Sequence, residues 1–306
     1  MKIIDAHSHL WLHQDTTWNG MRISPLPNGR SMFLGTEVQM LPPFMIDGRN
    51  SAEVFLSNMN YAQVSAAGVV QEFIDGLQND YQEQVQRDYP ERFITSGMVD
   101  YFQPGTYMEQ VLQLHSRGFR AITIPGHRII TDNLVLHFND EEMMEMLRYM
   151  EQHGMMLCAT LADGDRQVDE LCEVIEECPG LKIAIGHFGM PTVDGWHEQI
   201  KLARYENVFI ESGGITWLYN SEFYPFPSAI RAIREAADIC GMEKLMWGSD
   251  YPRKITAITY RMSYDFVLKS RELNDEEKRL FLGDNARRFY GFGELIDLPY
   301  VKNMSE

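Results

Sequence analysis

Two histidines two residues apart, His7 and His9, follow the short apolar run Lys2-Ile3-Ile4-Asp5. On a strand, residues two apart share a side, so the pair would project two imidazoles together, as a divalent metal requires. Three further polar residues belong with other apolar runs: Glu72 is carried near the end of 69–74, His187 follows 181–186, and Asp250 follows 244–248. Each has a plain structural reading. Asp250, ahead of Tyr251-Pro252, could cap a turn. His187 could be a packed histidine bonded to backbone, and Glu72 could pair with a buried arginine. Taken together, two histidines with one or two carboxylates are a common hydrolytic metal set that leaves a position for water. The expected metal ligands are therefore His7, His9, Glu72 and Asp250. His127, Arg128 and Arg253, just past other apolar runs, are candidates for holding a substrate carboxylate or hydroxyl groups, although surface cations there would be equally ordinary.

Strands ending at these residues are expected over residues 2–5, 69–74, 93–99, 119–124, 155–160, 181–186, 208–211 and 244–248. Helical runs follow at 79–88, 107–117, 140–153, 167–178, 196–204, 228–240, 256–270 and 275–288, and several are closed by glycine, among them Gly118, Gly154 and Gly241. A further helix, starting at the capping run Asn50-Ser51, precedes the second strand. Alternation of strand and helix implies parallel strands joined by helical crossovers. Eight units in 306 residues fit an α/β fold of the (β/α)8 TIM-type barrel class, in one domain over residues 1–306. A doubly wound open sheet is the rival, but no GxGxxG follows the first strand. In a barrel, all these strand ends share one mouth.

Between the first strand and the first helix lies a long stretch at about residues 10–49. It holds Pro25, Pro27, Pro42 and Pro43, the aromatics Trp11, Trp18, Phe33 and Phe44, and Arg22, Arg30 and Arg49. It reads as an irregular loop insertion, either a lid over the mouth or a surface insertion without a role.

The composition excludes several classes of function. With 27 basic against 44 acidic residues the chain carries a net charge of -17, which repels a phosphate backbone, so no nucleic-acid partner is expected. No apolar run is long enough to span a bilayer, and no basic start followed by an apolar segment marks a leader. The four cysteines, Cys158, Cys172, Cys178 and Cys240, show no CxxC spacing and read as reduced thiols, consistent with a cytoplasmic protein. The expected partner is a small-molecule substrate, and a homo-oligomer is compatible with the sequence.

The spans Ile4-Asp5-Ala6-His7-Ser8-His9, Ile185-Gly186-His187-Phe188-Gly189 and Trp247-Gly248-Ser249-Asp250-Tyr251-Pro252 resemble the amidohydrolase superfamily. Tyr89-Pro90-Glu91-Arg92-Phe93 and Asn285-Ala286-Arg287-Arg288-Phe289-Tyr290 agree. The similarity is to the amidohydrolase-related branch, which includes aminocarboxymuconate semialdehyde decarboxylase, related decarboxylases, and sugar and pyrone-dicarboxylate lactonases. The resemblance implies a barrel, one divalent metal in many members, and hydrolysis or non-oxidative decarboxylation. It implies that His7 and His9 bind metal. It gives His187 contact with the attacking water or the substrate, and Asp250 the roles of metal ligand and proton acceptor. The decarboxylases carry a metal-binding histidine at the end of the fifth strand, where this chain has Thr160.

These readings lead to one expectation. The chain is a metal-dependent hydrolase of a small carbonyl substrate, a lactone first, with Asp250 as general base, His187 polarising the carbonyl oxygen, and zinc or manganese as cofactor. Decarboxylation of an unsaturated or aromatic acid is the alternative within catalysis. A barrel that only binds a ligand is the alternative outside it.

Overall fold

The computed structural model describes residues 1–130 and 135–304. Its frame is a ring of parallel strands: β1 (Ile3–Ser8), β6 (Val64–Val69), β7 (Phe93–Thr95), β8 (Gly97–Met98), β9 (Ala121–Pro125), β10 (Met156–Thr160), β11 (Lys182–Ile185), β12 (Val208–Glu211) and β13 (Leu245–Met246). β7 and β8 are one barrel strand interrupted at Ser96, so the ring has the expected eight positions. β1, β6 and β7 pair in that order, and β8 through β13 pair as a continuous series. The ring closes through hydrogen bonds from Ala6 N–H to Trp247 O at 2.9 Å, Asp250 N–H to His7 O at 2.9 Å and His9 N–H to Tyr251 O at 2.8 Å. Asp5 reinforces that seam. Its buried carboxylate accepts from Ser249 N–H at 2.8 Å, His7 N–H at 3.1 Å, Tyr260 Oη–H at 2.8 Å and the Ser249 hydroxyl.

Side-chain alternation divides the core in two. Ile4, Ala6, Ala66, Ala121, Cys158, Ala184 and Phe209 point into the lumen, while Ile3, Ile122, Ile124, Leu157, Ile183, Ile185 and Ile210 pack outward against the helices. The lumen is lined with small residues at mid-height because Tyr290, from the last helix (α11, Asn285–Tyr290), projects into it. Its hydroxyl donates to Ala6 O at 2.7 Å, and a Cβ on Gly68 would lie 2.4 Å from its ring.

Residues 10–49 differ from the irregular loop expected. They contain an antiparallel sheet of four strands, β2 (Thr16–Trp18), β3 (Met21–Leu26), β4 (Arg30–Phe33) and β5 (Thr36–Gln39). The reason is turn chemistry. Asn19-Gly20 and Leu34-Gly35 each have both residues at positive φ, the conformation of a tight two-residue hairpin, and the three-residue loop Pro27-Asn28-Gly29, with Asn28 and Gly29 at positive φ, turns the chain between β3 and β4. The aromatic and proline content had masked the two Asn-Gly signals.

The second barrel strand, β6, lies five residues earlier than expected, over Val64–Val69 in place of 69–74. It ends at Val69, and Glu72 caps the short 3-10 turn Phe73–Asp75, where its carboxylate accepts from Phe73 N–H at 2.8 Å. Among the described residues, no helix is long and apolar enough to cross a membrane.

Candidate active site

A local irregularity in β1 aims the two histidines. Asp5 pairs with Ala67 of β6, but Ser8 pairs with Val69, so three steps on β1 match two on β6. The extra residue is a bulge, and it flips the alternation. Ile4 and Ala6 face the lumen below it. In a regular strand His7 and His9 would then face the helices. After the bulge they face the mouth, where both line the central cavity.

Three acceptor atoms meet there. His7 Nε2 lies 3.1 Å from His9 Nε2, which lies 3.1 Å from Asp250 Oδ1, and all three residues are buried. The other ring nitrogens fix the tautomers. His9 Nδ1–H donates to Val70 O at 3.1 Å, and His7 Nδ1–H donates to the Glu211 carboxylate at 2.6 Å. Each Nε2 therefore presents a lone pair to the other and to a carboxylate oxygen, with no hydrogen between them. Burial pushes His9 down, as do the charges of Arg253 and His7, while the Asp250 carboxylate alone favours a proton on the ring. The arrangement is repulsive unless a cation sits among the three atoms, and imidazole and carboxylate suit zinc or manganese. The residues present thus fit a divalent metal.

Around this group stand His187, Lys254, Arg253, Arg128 and Trp217, in a cavity of about 270 Å³. His187 Nδ1–H donates to Gly213 O at 2.7 Å, so its Nε2 is a free acceptor, and its ring centroid lies 4.8 Å from that of His7. Burial, helped by the neighbouring His7, pushes His187 down to about 4, so it is neutral at physiological pH. A neutral ring with its proton on Nδ1 accepts a hydrogen at the mouth and does not donate one. This corrects the expected role of His187 in polarising a carbonyl. His187, Phe188 and Asp250 all sit at φ between 54° and 56°, a left-handed backbone that costs on the order of 1 kcal/mol or more for non-glycine residues and is common at functional sites.

Asp250 is held well below the usual carboxylate range. Burial opposes this, but the Lys254 ammonium, 3.1 Å from Oδ2, and His9 outweigh it. The ammonium also lies 4.3 Å from the centre of the Trp217 ring.

Glu72 stands away from the three converging atoms. Its Oε1 is 3.3 Å from Arg128 Nε and its Oε2 is 3.3 Å from His127 Nε2. Burial would raise its pKa, but Arg128 first and His127 next hold it far below the normal range. The structure thus gives Glu72 the arginine partner of the plain reading instead of the metal. Its position past the end of β6 puts its carboxylate against His127 and Arg128 of the short helix Gly126–Ile129. Arg128 stacks 4.6 Å from Trp18 of the insertion, and Arg253 lies 5.2 Å from Trp11 and pairs with Asp75. His127, Arg128 and Arg253 all line the cavity, as does Thr160 at the end of β10. The sequence reading passed over Glu211 and Lys254. Glu211 ends a strand as His187 and Asp250 do, and Lys254 stands four residues after Asp250, so both were open to the same positional argument.

The chain belongs to the amidohydrolase family, whose model matches residues 4–292. Its fold is that of solved barrels of the same kind. One is a "probable 2-pyrone-4,6-dicarboxylic acid hydrolase" from Acinetobacter baumannii with citric acid bound, at 19% identity and TM-score 0.67 over 95% of this chain and 100% of the other. Another is an amidohydrolase from Burkholderia multivorans with bound zinc, at 16% identity and TM-score 0.70 over 95% and 99%. A third is 5-carboxyvanillate decarboxylase from Novosphingobium aromaticivorans, complexed with manganese and a nitrobenzoic acid, at 18% identity and TM-score 0.60 over 81% and 83%. No curated protein matches the chain by sequence.

Proposed function

We propose that the protein is a metal-dependent hydrolase that opens a small carboxylate-bearing lactone. The observation that carries this reading is the convergence of His7 Nε2, His9 Nε2 and Asp250 Oδ1 in one buried group, with the Nδ1 of each ring already engaged by Glu211 or by the Val70 carbonyl. A divalent ion, zinc or manganese, supplies Lewis acidity toward the carbonyl oxygen and lowers the pKa of the attacking water. His187 Nε2 accepts a hydrogen bond from that water and orients it. Asp250 takes its proton as the water oxygen bonds to the carbonyl carbon, then returns the proton to the ring oxygen as the carbon–oxygen bond of the lactone breaks. Lys254 keeps Asp250 ionised until that moment.

The charge of the cavity supports an anionic substrate. Arg128, Arg253 and Lys254 face Glu72, Asp163 and Asp250, so side-chain charges balance. Asp75 behind Arg253 and Glu211 behind His7 add two negative charges, which a dication would offset, and Arg128 and Arg253 on the insertion side suit a carboxylate away from the reacting carbonyl. The similarity to a pyrone-dicarboxylic acid hydrolase points the same way.

Decarboxylation is the second reading, favoured by the likeness to 5-carboxyvanillate decarboxylase. Thr160 counts against it, since the end of β10 offers a hydroxyl in place of an imidazole.

Metal analysis of the purified protein, followed by a panel of carboxylated lactones and aromatic acids, tests the proposal. One metal per chain and lactone opening that stops on chelation are expected. Carbon dioxide release from an acid without lactone turnover would select the second reading. Full activity after exhaustive chelation would overturn the metal-dependent mechanism.

A further inference from the structure

Glu211 ends β12 and is 3% exposed, and nothing in the proposed chemistry gives it a substrate contact. Its two oxygens are used differently. Oε1 accepts from His7 Nδ1–H at 2.6 Å, and Oε2 accepts from the backbone N–H of Gly213 at 2.5 Å. The carbonyl of that same Gly213 accepts from His187 Nδ1–H at 2.7 Å. One carboxylate therefore touches the ring of His7 directly and the ring of His187 through a single glycine.

Three glycines leave room for this. A Cβ on Gly186 would lie 2.6 Å from Oε1, and one on Gly248 would lie 2.8 Å from Oε2. At Gly213, where φ is +30°, a Cβ would lie 2.5 Å from His187 Nδ1. These glycines end or follow β11, β13 and β12, so the backbones of three strands have been cleared around one side chain. A residue that only filled space would not need three neighbours without side chains.

We propose that Glu211 is the positioning residue that sets the tautomers of both imidazoles. By accepting on both oxygens it keeps the His7 proton on Nδ1 and leaves Nε2 free toward the metal. By fixing Gly213 it holds the carbonyl that keeps the His187 proton on Nδ1, leaving that Nε2 free for water. This rests on the metal-dependent reading above.

The chemistry of the carboxylate supplies the test. Glu211→Gln keeps the shape but has one acceptor oxygen and one amide donor. The backbone N–H of Gly213 can only donate, so the oxygen of Gln must face it. The amide N–H then faces His7 Nδ1, which must become an acceptor, and the His7 proton moves to Nε2, onto the metal-facing lone pair. Partners of metal-binding histidines typically contribute about 10–100-fold in metal affinity.

Zinc affinity measured by chelator competition on folded metal-free protein should therefore fall about 10–100-fold in E211Q. The ¹⁵N shifts of His7 in metal-free protein should move from the Nδ1–H to the Nε2–H pattern. Unchanged zinc affinity together with an unchanged His7 tautomer in folded E211Q would overturn the proposal. The wild type provides a check that needs no variant: in metal-free protein at a pH where the rings are neutral, a His7 or His187 protonated on Nε2 and not on Nδ1 would overturn it as well. The imidazole shifts are read without metal, so they judge Glu211 even if the wild type binds no zinc. Absence of zinc binding by the wild type would count against the metal-dependent reading instead.

Discussion

Replacing Glu72 with Gln separates the two roles open to this carboxylate. Its oxygens lie 3.3 Å from Arg128 Nε and from His127 Nε2. At an effective dielectric of about 20, one unit-charge pair at that distance is worth roughly 5 kcal/mol before desolvation is subtracted. Both partners are largely buried, so the cost of drying them offsets most of it, and a net loss of about 1–3 kcal/mol is expected on neutralisation. The Gln oxygen can still accept from Phe73 N–H, which keeps the turn in place. For a chain of 306 residues that loss corresponds to a fall in Tm of roughly 2–5 °C. Metal per chain should stay at the wild-type level, because His7, His9 and Asp250 are untouched. With Arg128 released from its carboxylate, KM for an anionic substrate should fall while a neutral analogue is unaffected. Calorimetry, elemental analysis of dialysed protein and steady-state kinetics read the three quantities. If bound metal drops in step with the substitution while the fold persists, the ion-pair account is wrong and Glu72 is a ligand.

Asp5→Ala strips the acceptor from Ser249 N–H, Tyr260 Oη–H and His7 N–H at the barrel seam. A loss of about 3–5 kcal/mol in urea unfolding is expected, and a loss under 1 kcal/mol would show that the seam does not depend on Asp5. His187, pushed down to about 4, predicts a kcat/KM that is flat through neutrality and falls as pH drops through about 4. A folded pKa below the unfolded value near 6.5 means that the unfolded state binds more protons between pH 4 and 6.5. His187 thus contributes stability that is fully present above 6.5 and is lost as pH falls through that window, about 3 kcal/mol in all for the metal-free protein; burial raises Asp5 to about 6, which acts in the opposite direction, so the contribution is read as the difference between wild type and His187→Asn, and an equal pH dependence of unfolding in the two would contradict it. Trp18→Ala removes the ring 4.6 Å from Arg128. With a cation–π contribution of about 0.5–2 kcal/mol, KM for an anionic substrate should rise roughly 2–30-fold, and an unchanged KM would detach the insertion from substrate binding.

The barrel was legible because each strand and helix is punctuated locally, by glycine at helix ends and by apolar runs of strand length. The identities of His7, His9, His187 and Asp250 were legible because strand ends in a barrel share one mouth. Their orientation was not. The pair at positions 7 and 9 was expected to point together, and it does, but parity from Ile4 and Ala6 would have sent both outward, and only the bulge between Asp5 and Ser8 turns them inward. A bulge is a property of two strands in register, which one strand's sequence does not contain. Glu72 misled for a related reason. Its apolar flanks read as strand, while its partner Arg128 lies 56 residues away and had been assigned to substrate. The hairpins at Asn19-Gly20 and Asn28-Gly29, by contrast, were written in the sequence and outweighed by the surrounding prolines and aromatics.

The seam of the barrel joins the two ends of the chain in time as well as in space. His9 and Asp250 are 241 residues apart, as are, at 244, Asp5 and Ser249. At about 5–20 residues per second, a ribosome delivers Asp250 roughly 12–50 s after His9. Once β6 has been made, β1 has a partner on one side only, and its other edge stays open until β13 and the residues after it arrive. The two imidazoles meanwhile lack their third donor and the carboxylate that fixes the His7 tautomer. The seam and the plug at Tyr290 are completed only when residues 247–290 have been made, so metal capture is set to be a late event. A nascent chain stalled before Trp247 carries the most conspicuous motif of the protein and none of its coordination chemistry.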